Sequence, residues 1–160
     1  MIAPLRGCRP TLFPDYTMPT INRLFTNPEA TETAFYDAIA RADLDTLMTL
    51  WADEDEIVCI HPGASRLVGH AAIRASWEAI FDRGGVHIHP AQRHVVASSM
   101  SAVHNIIEEI RRNDGEAPER HVLATNIYLK TSKGWRIVLH HASIAPGVSP
   151  ADPAASSTLH

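Results

Sequence analysis

The sequence predicts an α+β domain in which N-terminal helices pack inside a curved, mostly antiparallel β-sheet, giving a cone-shaped roll. Apolar residues recur at helical spacing in the first half of the chain, whereas the segments from 86 to 144 alternate as strands do. Short turn sequences separate the later strands, which favours antiparallel hairpins. A sheet that covers helices on one face must curve around them. We therefore expect an apolar pocket for a small ligand inside the roll.

Length and charge narrow the class of protein. The 160 residues favour one domain over 27–145, preceded by an irregular arm (1–26) and followed by a flexible Pro/Ala/Ser-rich tail (146–160). Fourteen basic against eighteen acidic residues give a net charge of -4, without the basic excess typical of nucleic-acid binding. No apolar run reaches the roughly 20 residues of a membrane helix, and the N-terminus lacks the apolar core of a secretory signal. We expect a cytoplasmic protein without nucleic-acid or membrane partners; Met18 is an alternative start that would make residues 1–17 an extension.

Three helices are predicted in the first half. Asn27, followed by a proline and a glutamate, is typical of a helix start, and the apolar spacing continues to about Arg41. Asp43 is expected to cap a second, short helix. A third helix is predicted over 71–82, where two glycines follow and end it.

Strands are predicted for most of the rest. A short apolar run over 57–60 stops at His61, because a proline and a glycine come next. The strand over 86–100 is interrupted at Pro90, which predicts a bulge or a bend. An antiparallel meander is expected from the segments 102–111, 120–131 and 135–144, with turns at 113–115 and 132–134.

The second face of the sheet also carries apolar side chains, which are stable only when they are shielded from water. Val103 and Ile107 lie on one side of their strand, and Ile106 and Ile110 lie on the other. Apolar side chains on both faces favour a partner on the outer one. We therefore expect a homodimer.

Ten histidines are the most distinctive feature of the composition. His140 and His141 are neighbours in a strand and point to opposite faces, and the sequence leaves open which of them faces the pocket. His87 and His89 share one strand face, and a metal could bind there with one further histidine, chosen from His94, His104 and His121. A metal site needs three or four converging ligands, which this spacing does not require, so we expect no metal.

The order and spacing of six short strings resemble the nuclear transport factor 2-like superfamily. This group includes SnoaL-like polyketide cyclases, ketosteroid isomerases and the association domain of calmodulin-dependent kinase II. The resemblance implies the roll over residues 28–144, although this fold hosts many unrelated activities. The strings are Ala42-Asp43-Leu44-Asp45, Leu50-Trp51-Ala52-Asp53, His61-Pro62-Gly63, Gly69-His70-Ala71-Ala72-Ile73-Arg74, Gly134-Trp135-Arg136-Ile137-Val138 and His140-His141-Ala142-Ser143.

The resemblance also implies catalytic residues. His61 stands where ketosteroid isomerases have their proton-shuttling aspartate, and an imidazole titrates in the range that this task needs. Asn126 stands at the place of a protonated aspartate that donates to the substrate oxyanion, and an amide can donate the same hydrogen bond. Phe35 occupies the place of the oxyanion tyrosine, with Tyr36 one helical step away. His140 is expected as a further polar contact.

The wall of the ligand site is expected to be aromatic. For these side chains the alternative is plain packing in the core, where large rings contribute most of the buried area. The predicted ligand-binding residues are Phe35, Tyr36, Trp51, Trp77, Phe81 and His141.

Two functions remain open on the sequence. One is a pocket protein for a small apolar or carbonyl-containing ligand, with cofactor-free isomerase, cyclase or hydrolase chemistry in which His61 is the general base. The alternative is a non-catalytic ligand-binding or oligomeric assembly domain, because the kinase association domain has a similar Trp-x-Ile-Val-x-x-His string. That domain places an arginine where this chain has Ala142, so its anion-binding pocket is not expected here.

Overall fold

A computed structural model describes residues 25–111 and 120–145, which form three helices and six strands. The sheet order is β2-β1-β6-β5-β4-β3, and every pairing is antiparallel except that of β1 with β6. The α+β roll and the antiparallel meander are confirmed. The elements are α1 (Pro28–Arg41), α2 (Leu44–Thr49), β1 (Val58–Ile60), β2 (Leu67–Val68), α3 (His70–Phe81), β3 (His87–Ala97), β4 (Ser101–Arg111), β5 (Arg120–Thr131) and β6 (Gly134–Ile144).

The predicted capping residues begin α1 and α2. The Asn27 side chain accepts a hydrogen bond from the Ala30 N–H at 2.7 Å, and the Asp43 side chain accepts one from the Thr46 N–H at 3.0 Å. At the end of α1, Ala42 adopts the left-handed conformation (φ 53°), and its N–H bonds the last carbonyls of the helix. These two helices therefore begin where their sequence signals place them.

The inner face of the sheet packs on α1. Alternate residues of β4 and β5 are buried, and fully buried Phe35 and Ile39 project from the helix toward them. Gly85 allows the chain that enters β3 to pass close to this helix, since a Cβ there would lie 2.1 Å from the Ala40 carbonyl oxygen. The core therefore lies between α1 and the concave side of the sheet.

Two bulges decide which side chains face inward. In β3 the register shifts between Ala91 and His94, with Gln92 at a positive φ of 46°, close to the bend predicted at Pro90. In β6, Tyr128 pairs with Ile137 and Ile127 with Leu139, so that Val138 is extra. The alternation in β6 therefore changes phase, which puts Ile137 and His140 on the same inner face.

Some features differ from the sequence prediction or lie beyond it. The sequence does not predict the short strand β2 or the parallel pairing of β1 with β6, and Phe25, assigned to the arm, packs against Arg136. The arm up to residue 24, the turn at 113–115 and the tail from 146 lie outside the described residues. In the described ranges, no helix is long and apolar enough to cross a membrane.

Candidate active site

An aromatic cluster fills the space between α1, α3 and β6. The Phe35 ring lies at its centre, with ring centroids 5.9 Å from Trp77, 6.4 Å from Trp51 and 5.2 Å from the imidazole of His140. These side chains are at most 4% exposed. These predicted site residues are therefore part of the hydrophobic core, and none of them lines the open groove that lies next to the cluster.

His61 lies where this cluster meets solvent, just after β1. Its ring packs edge-on against Trp77, with 4.8 Å between centroids. The imidazole lines an open groove of about 460 Å³, which it shares with α3 and residues 83–86. Burial lowers the pKa of His61, so the ring is neutral at pH 7 and keeps a lone pair for accepting a proton.

Cys59 lies beside His61 but is not activated by it. The Cys59 sulfur is 3.8 Å from Nε2 of His61. Burial, with a smaller contribution from the charge of Glu108, raises the pKa of the Cys59 thiol to about 12. The sulfur stays protonated at neutral pH and is not a nucleophile, since only the thiolate attacks.

His140 is held as a neutral ring in the interior. Burial, and then the neighbouring His61 and His141, lower its pKa to about 3. Its Nδ1 lies 2.7 Å from Oδ1 of Asn126 on the next strand. A neutral imidazole can contact an amide oxygen this closely only as a donor, so Nδ1 carries the proton and Nε2 keeps a lone pair.

The hydrogen bonds continue from Asn126 to a buried carboxyl group. The Asn126 amide donates to the Tyr36 hydroxyl at 3.2 Å, and this hydroxyl donates to Oε1 of Glu108 at 2.8 Å. Burial and the charge of Glu32 raise the pKa of Glu108 to about 7, although the Tyr36 hydrogen bond opposes this shift. We call this hydrogen-bonded series of side chains, His140–Asn126–Tyr36–Glu108, the polar chain. It ends in a carboxyl group that gains and loses its proton near neutral pH.

A second group of polar side chains surrounds Glu32 on α1. Its Oε2 accepts hydrogen bonds from Nδ1 of His104 at 2.7 Å and from the Tyr128 hydroxyl at 3.2 Å. Its Oε1 lies 2.5 Å from a guanidinium nitrogen of Arg93. We call these four residues the Glu32 cluster. They stabilise a side chain that is completely removed from solvent.

Metal-ligating side chains do not converge in the described part of the chain. Across residues 25–111 and 120–145, no three histidine, cysteine or acidic side chains are placed to hold a metal ion. His104 faces the interior, whereas His87 and His89 lie at the edge of the sheet.

A family model for the SnoaL-like domain matches residues 29–146. The chain belongs to the SnoaL-like domain family. This membership agrees with the helix-filled roll, which carries the aromatic cluster and the polar chain on its concave side.

Solved structures share the fold of this SnoaL-like domain. A candidate calcium/calmodulin-dependent protein kinase type II association domain from Thiobacillus denitrificans is 38% identical, with a TM-score of 0.71 over 76% of this chain and 98% of that one. A candidate dehydratase of the NTF2-like family from Streptomyces avermitilis is 29% identical, with a TM-score of 0.66 over 74% and 94% of the two chains. A candidate ketosteroid isomerase from Parabacteroides distasonis is 16% identical, with a TM-score of 0.61 over 77% and 96%, which shows a shared fold only. No curated protein matches the chain.

The SnoaL-like domain brings most of the predicted site residues together. His61, His140 and Asn126 all lie on the concave side, in or beside the aromatic cluster. Phe81 is half-buried, with its ring 5.6 Å from that of Trp77. His141 does not join them: it is exposed on the outer face, because the extra residue in β6 turns its neighbour inward.

Tyr36, rather than Phe35, meets the amide of Asn126. The helix places the Phe35 ring in the core and the Tyr36 hydroxyl on the polar chain. The resemblance implied that Phe35 takes the position of the oxyanion tyrosine. In the structure Tyr36 takes that position, and Phe35 packs in the core. The hydroxyl of Tyr36 stays protonated because burial, with the charge of Glu108, raises its pKa.

Sequence reasoning missed Glu108 and Glu32. The alternation of Ala102, His104 and Ile106 with outward residues does place Glu108 on the inner face of β4. Glu32 follows helical spacing with Tyr36 on the buried side of α1. The signal was present in both cases, but acidic residues are seldom fully buried.

Proposed function

We propose that this SnoaL-like domain is a cofactor-free enzyme that moves a proton on a small carbonyl-containing substrate bound in the groove beside His61. The observation that carries the proposal is the polar chain, which buries a carboxyl group with a pKa of about 7. A core that serves only stability gains nothing from such a group, whereas perturbed titrating groups are typical of active sites. The polar chain does not line the groove beside His61 but approaches it through His140, whose ring centroid lies 6.4 Å from that of Trp77.

His61 has the properties of the general base. It is neutral at pH 7, lines the groove and is held against Trp77. In the proposed step, the imidazole removes a proton from the carbon next to the carbonyl group. The C–H electron pair forms a C=C bond while the C=O π pair moves onto the oxygen, giving an enolate, and the protonated imidazole then returns the proton to carbon.

Asn126 supports the negative charge that develops on the oxygen. The amide has two N–H groups, and the Tyr36 hydroxyl accepts one of them. Asn126 is fully buried and its amide also interacts with the Tyr128 hydroxyl, so we propose that the substrate oxygen displaces this contact to accept the other N–H. Tyr36 and Glu108 are positioning residues, because they hold the amide and do not touch the substrate.

Deuterium exchange tests this proposal across a range of carbonyl compounds. The protein is incubated in D₂O with a panel of cyclic and aryl ketones, and deuteration next to the carbonyl is followed by NMR. We expect at least one ketone to exchange faster with the protein present, and His61→Ala to lower the catalysed rate by about a hundredfold or more. His141→Ala is the matched control and should leave the rate unchanged. A panel without any accelerated ketone would overturn the assignment of a carbonyl substrate.

A second candidate function is assembly, and the outer face of the sheet favours it. One row of apolar side chains pairs in register across all six strands. The similarity to the candidate association domain, at 38% identity, points the same way. Assembly and catalysis use opposite faces of the sheet and are compatible. The row consists of Val96, Val103, Ile127, Leu139, Val58 and Val68.

A further inference from the structure

A second groove lies between α1 and β3, away from His61. It encloses about 350 Å³ and shares no lining residue with the groove beside His61. Ile88 and Pro90 contribute apolar walls, and the side chains of Arg93 and Arg111 reach its surface. The groove therefore combines cationic groups with an apolar surface.

Arg93 is fixed in this groove by the β3 bulge and by Glu32. The bulge places Gln92 at a positive φ, and Arg93 follows it directly. A guanidinium nitrogen of Arg93 lies 2.5 Å from Oε1 of the fully buried Glu32, while the Arg93 side chain remains 36% exposed. A guanidinium has five N–H donors, so the exposed part of Arg93 can still donate.

Two carboxylates line the groove, the buried Glu32 and the exposed Asp37. Both oxygens of Glu32 are engaged within the Glu32 cluster, one by Arg93 and the other by His104 and Tyr128. Glu32 thus serves to hold Arg93 through an ion pair, and the charge of the exposed Asp37 is screened by solvent. Arg111 adds a second guanidinium that is 41% exposed, paired on one side with Glu109.

We propose that this groove binds a small organic carboxylate, with its charged end on Arg93 and its apolar body against Ile88 and Pro90. Planar guanidinium groups pair with carboxylates through two parallel hydrogen bonds, and the preorganised Arg93 loses little side-chain freedom on binding. The site is separate from the groove beside His61, with which it shares no lining residue, although Tyr36 both lines it and belongs to the polar chain.

Benzoate and benzyl alcohol form a matched pair of probes for this site. Each is titrated into the ¹⁵N-labelled full chain, and backbone amide shifts are followed by NMR. Benzoate should cause saturable shifts in residues 86–93 and 32–40, and benzyl alcohol at equal concentration should not. Arg93→Gln should weaken benzoate binding at least tenfold, whereas Arg83→Gln, which removes one charge from the groove beside His61, should leave it unchanged.

Arg111→Gln keeps the proposal testable if the loss of Arg93 unfolds the chain. Glu32 stays paired in Arg111→Gln, and we expect benzoate to bind several-fold more weakly. The absence of saturable shifts with benzoate, or equal shifts with benzyl alcohol, would overturn the site. Unchanged benzoate affinity in both Arg93→Gln and Arg111→Gln would also overturn the site. Inorganic phosphate binding as tightly as benzoate would overturn the carboxylate assignment, because the apolar walls would then contribute nothing.

Discussion

At the scale of single residues, Glu108 is a buried carboxyl group whose pKa is raised into the neutral range. It lies on the inner face of β4, accepts the Tyr36 hydroxyl and is 3% exposed. Its pKa is raised from 4.5 to about 7, so the folded protein binds a proton that the unfolded chain releases between these pH values. The stability that depends on this proton is present below pH 4.5 and is lost as the pH rises through 7.

Replacing Glu108 with glutamine should therefore change the pH dependence of stability. The amide can accept the Tyr36 hydrogen bond and carries no charge at any pH. We compare the free energy of unfolding of Glu108→Gln with that of the unmodified protein at each pH. The difference between them should shift in favour of the variant from pH 5 to pH 8, by an amount that approaches roughly 3 kcal/mol. Urea denaturation at the two pH values measures this difference.

Glu109→Gln is the control for that experiment. This neighbouring carboxylate faces outward, and its pKa is lowered by the hydrogen bond from Arg111. The variant should not gain stability as the pH rises. If Glu108→Gln instead lost stability relative to the unmodified protein on going from pH 5 to pH 8, the buried carboxyl would not titrate as described.

The sequence predicts some residue positions and not others. His61 is predictable because a short apolar run, a proline and a glycine set the end of β1 locally. The raised pKa of Glu108 is not predictable, because it depends on burial in the folded chain and on the charge of Glu32, more than 70 positions away. The inward position of His140 depends on one extra residue at Val138, which alternation alone does not reveal.

At the scale of elements, the close contact between α1 and the start of β3 depends on one glycine. A Cβ on Gly85 would lie 2.1 Å from the Ala40 carbonyl oxygen and 2.8 Å from its carbon, both of which are backbone atoms. The Val86 N–H bonds the Ile39 carbonyl at the same point. Neither backbone can move away without disturbing the helix.

Gly85→Ala should therefore lower the free energy of unfolding by about 2 kcal/mol or more, because overpacking against backbone cannot relax. Gly84→Ala separates this effect from backbone strain. Gly84 has a positive φ of 97° but open space around its Cβ position, so about 1 kcal/mol is expected. Urea denaturation of both variants provides the comparison, and equal losses would contradict the close contact.

The elements themselves were largely predictable from local signals. Caps at Asn27 and Asp43 and the glycines after α3 set the helix ends, and β5 begins and ends at the predicted residues. The parallel pairing of β1 with β6 was not predictable. It joins segments about 80 positions apart, and nothing in a strand only three residues long specifies its partner.

At the scale of the whole molecule, the residues that the structure describes leave the outer apolar row uncovered. Val96 and Val68 at its ends are 63% and 51% exposed. Beside it runs a polar row that contains the hydrogen-bonded pair Asn105 and Thr125. We propose that a second copy covers the row, because two such rows facing each other across a two-fold axis match apolar with apolar.

A charge in the middle of the row should prevent this association. We expect the unmodified protein to have twice the mass of one chain by light scattering, and Ile127→Glu to have the mass of one. Ser132→Glu places the same charge in an exposed turn outside the row and should remain dimeric. A single-chain mass for the unmodified protein at micromolar concentration would contradict the proposed dimer.

The central claim is that the His61 imidazole accepts the proton, and chemical rescue tests it most directly. With a ketone that the unmodified protein deuterates, His61→Ala leaves a space at the edge of the groove that free imidazole can enter. We predict that added imidazole restores exchange in His61→Ala in proportion to its concentration and has no such effect on His141→Ala. Exchange that proceeds normally in His61→Ala, or that imidazole does not restore in a folded variant, would contradict the assignment of His61 as the base.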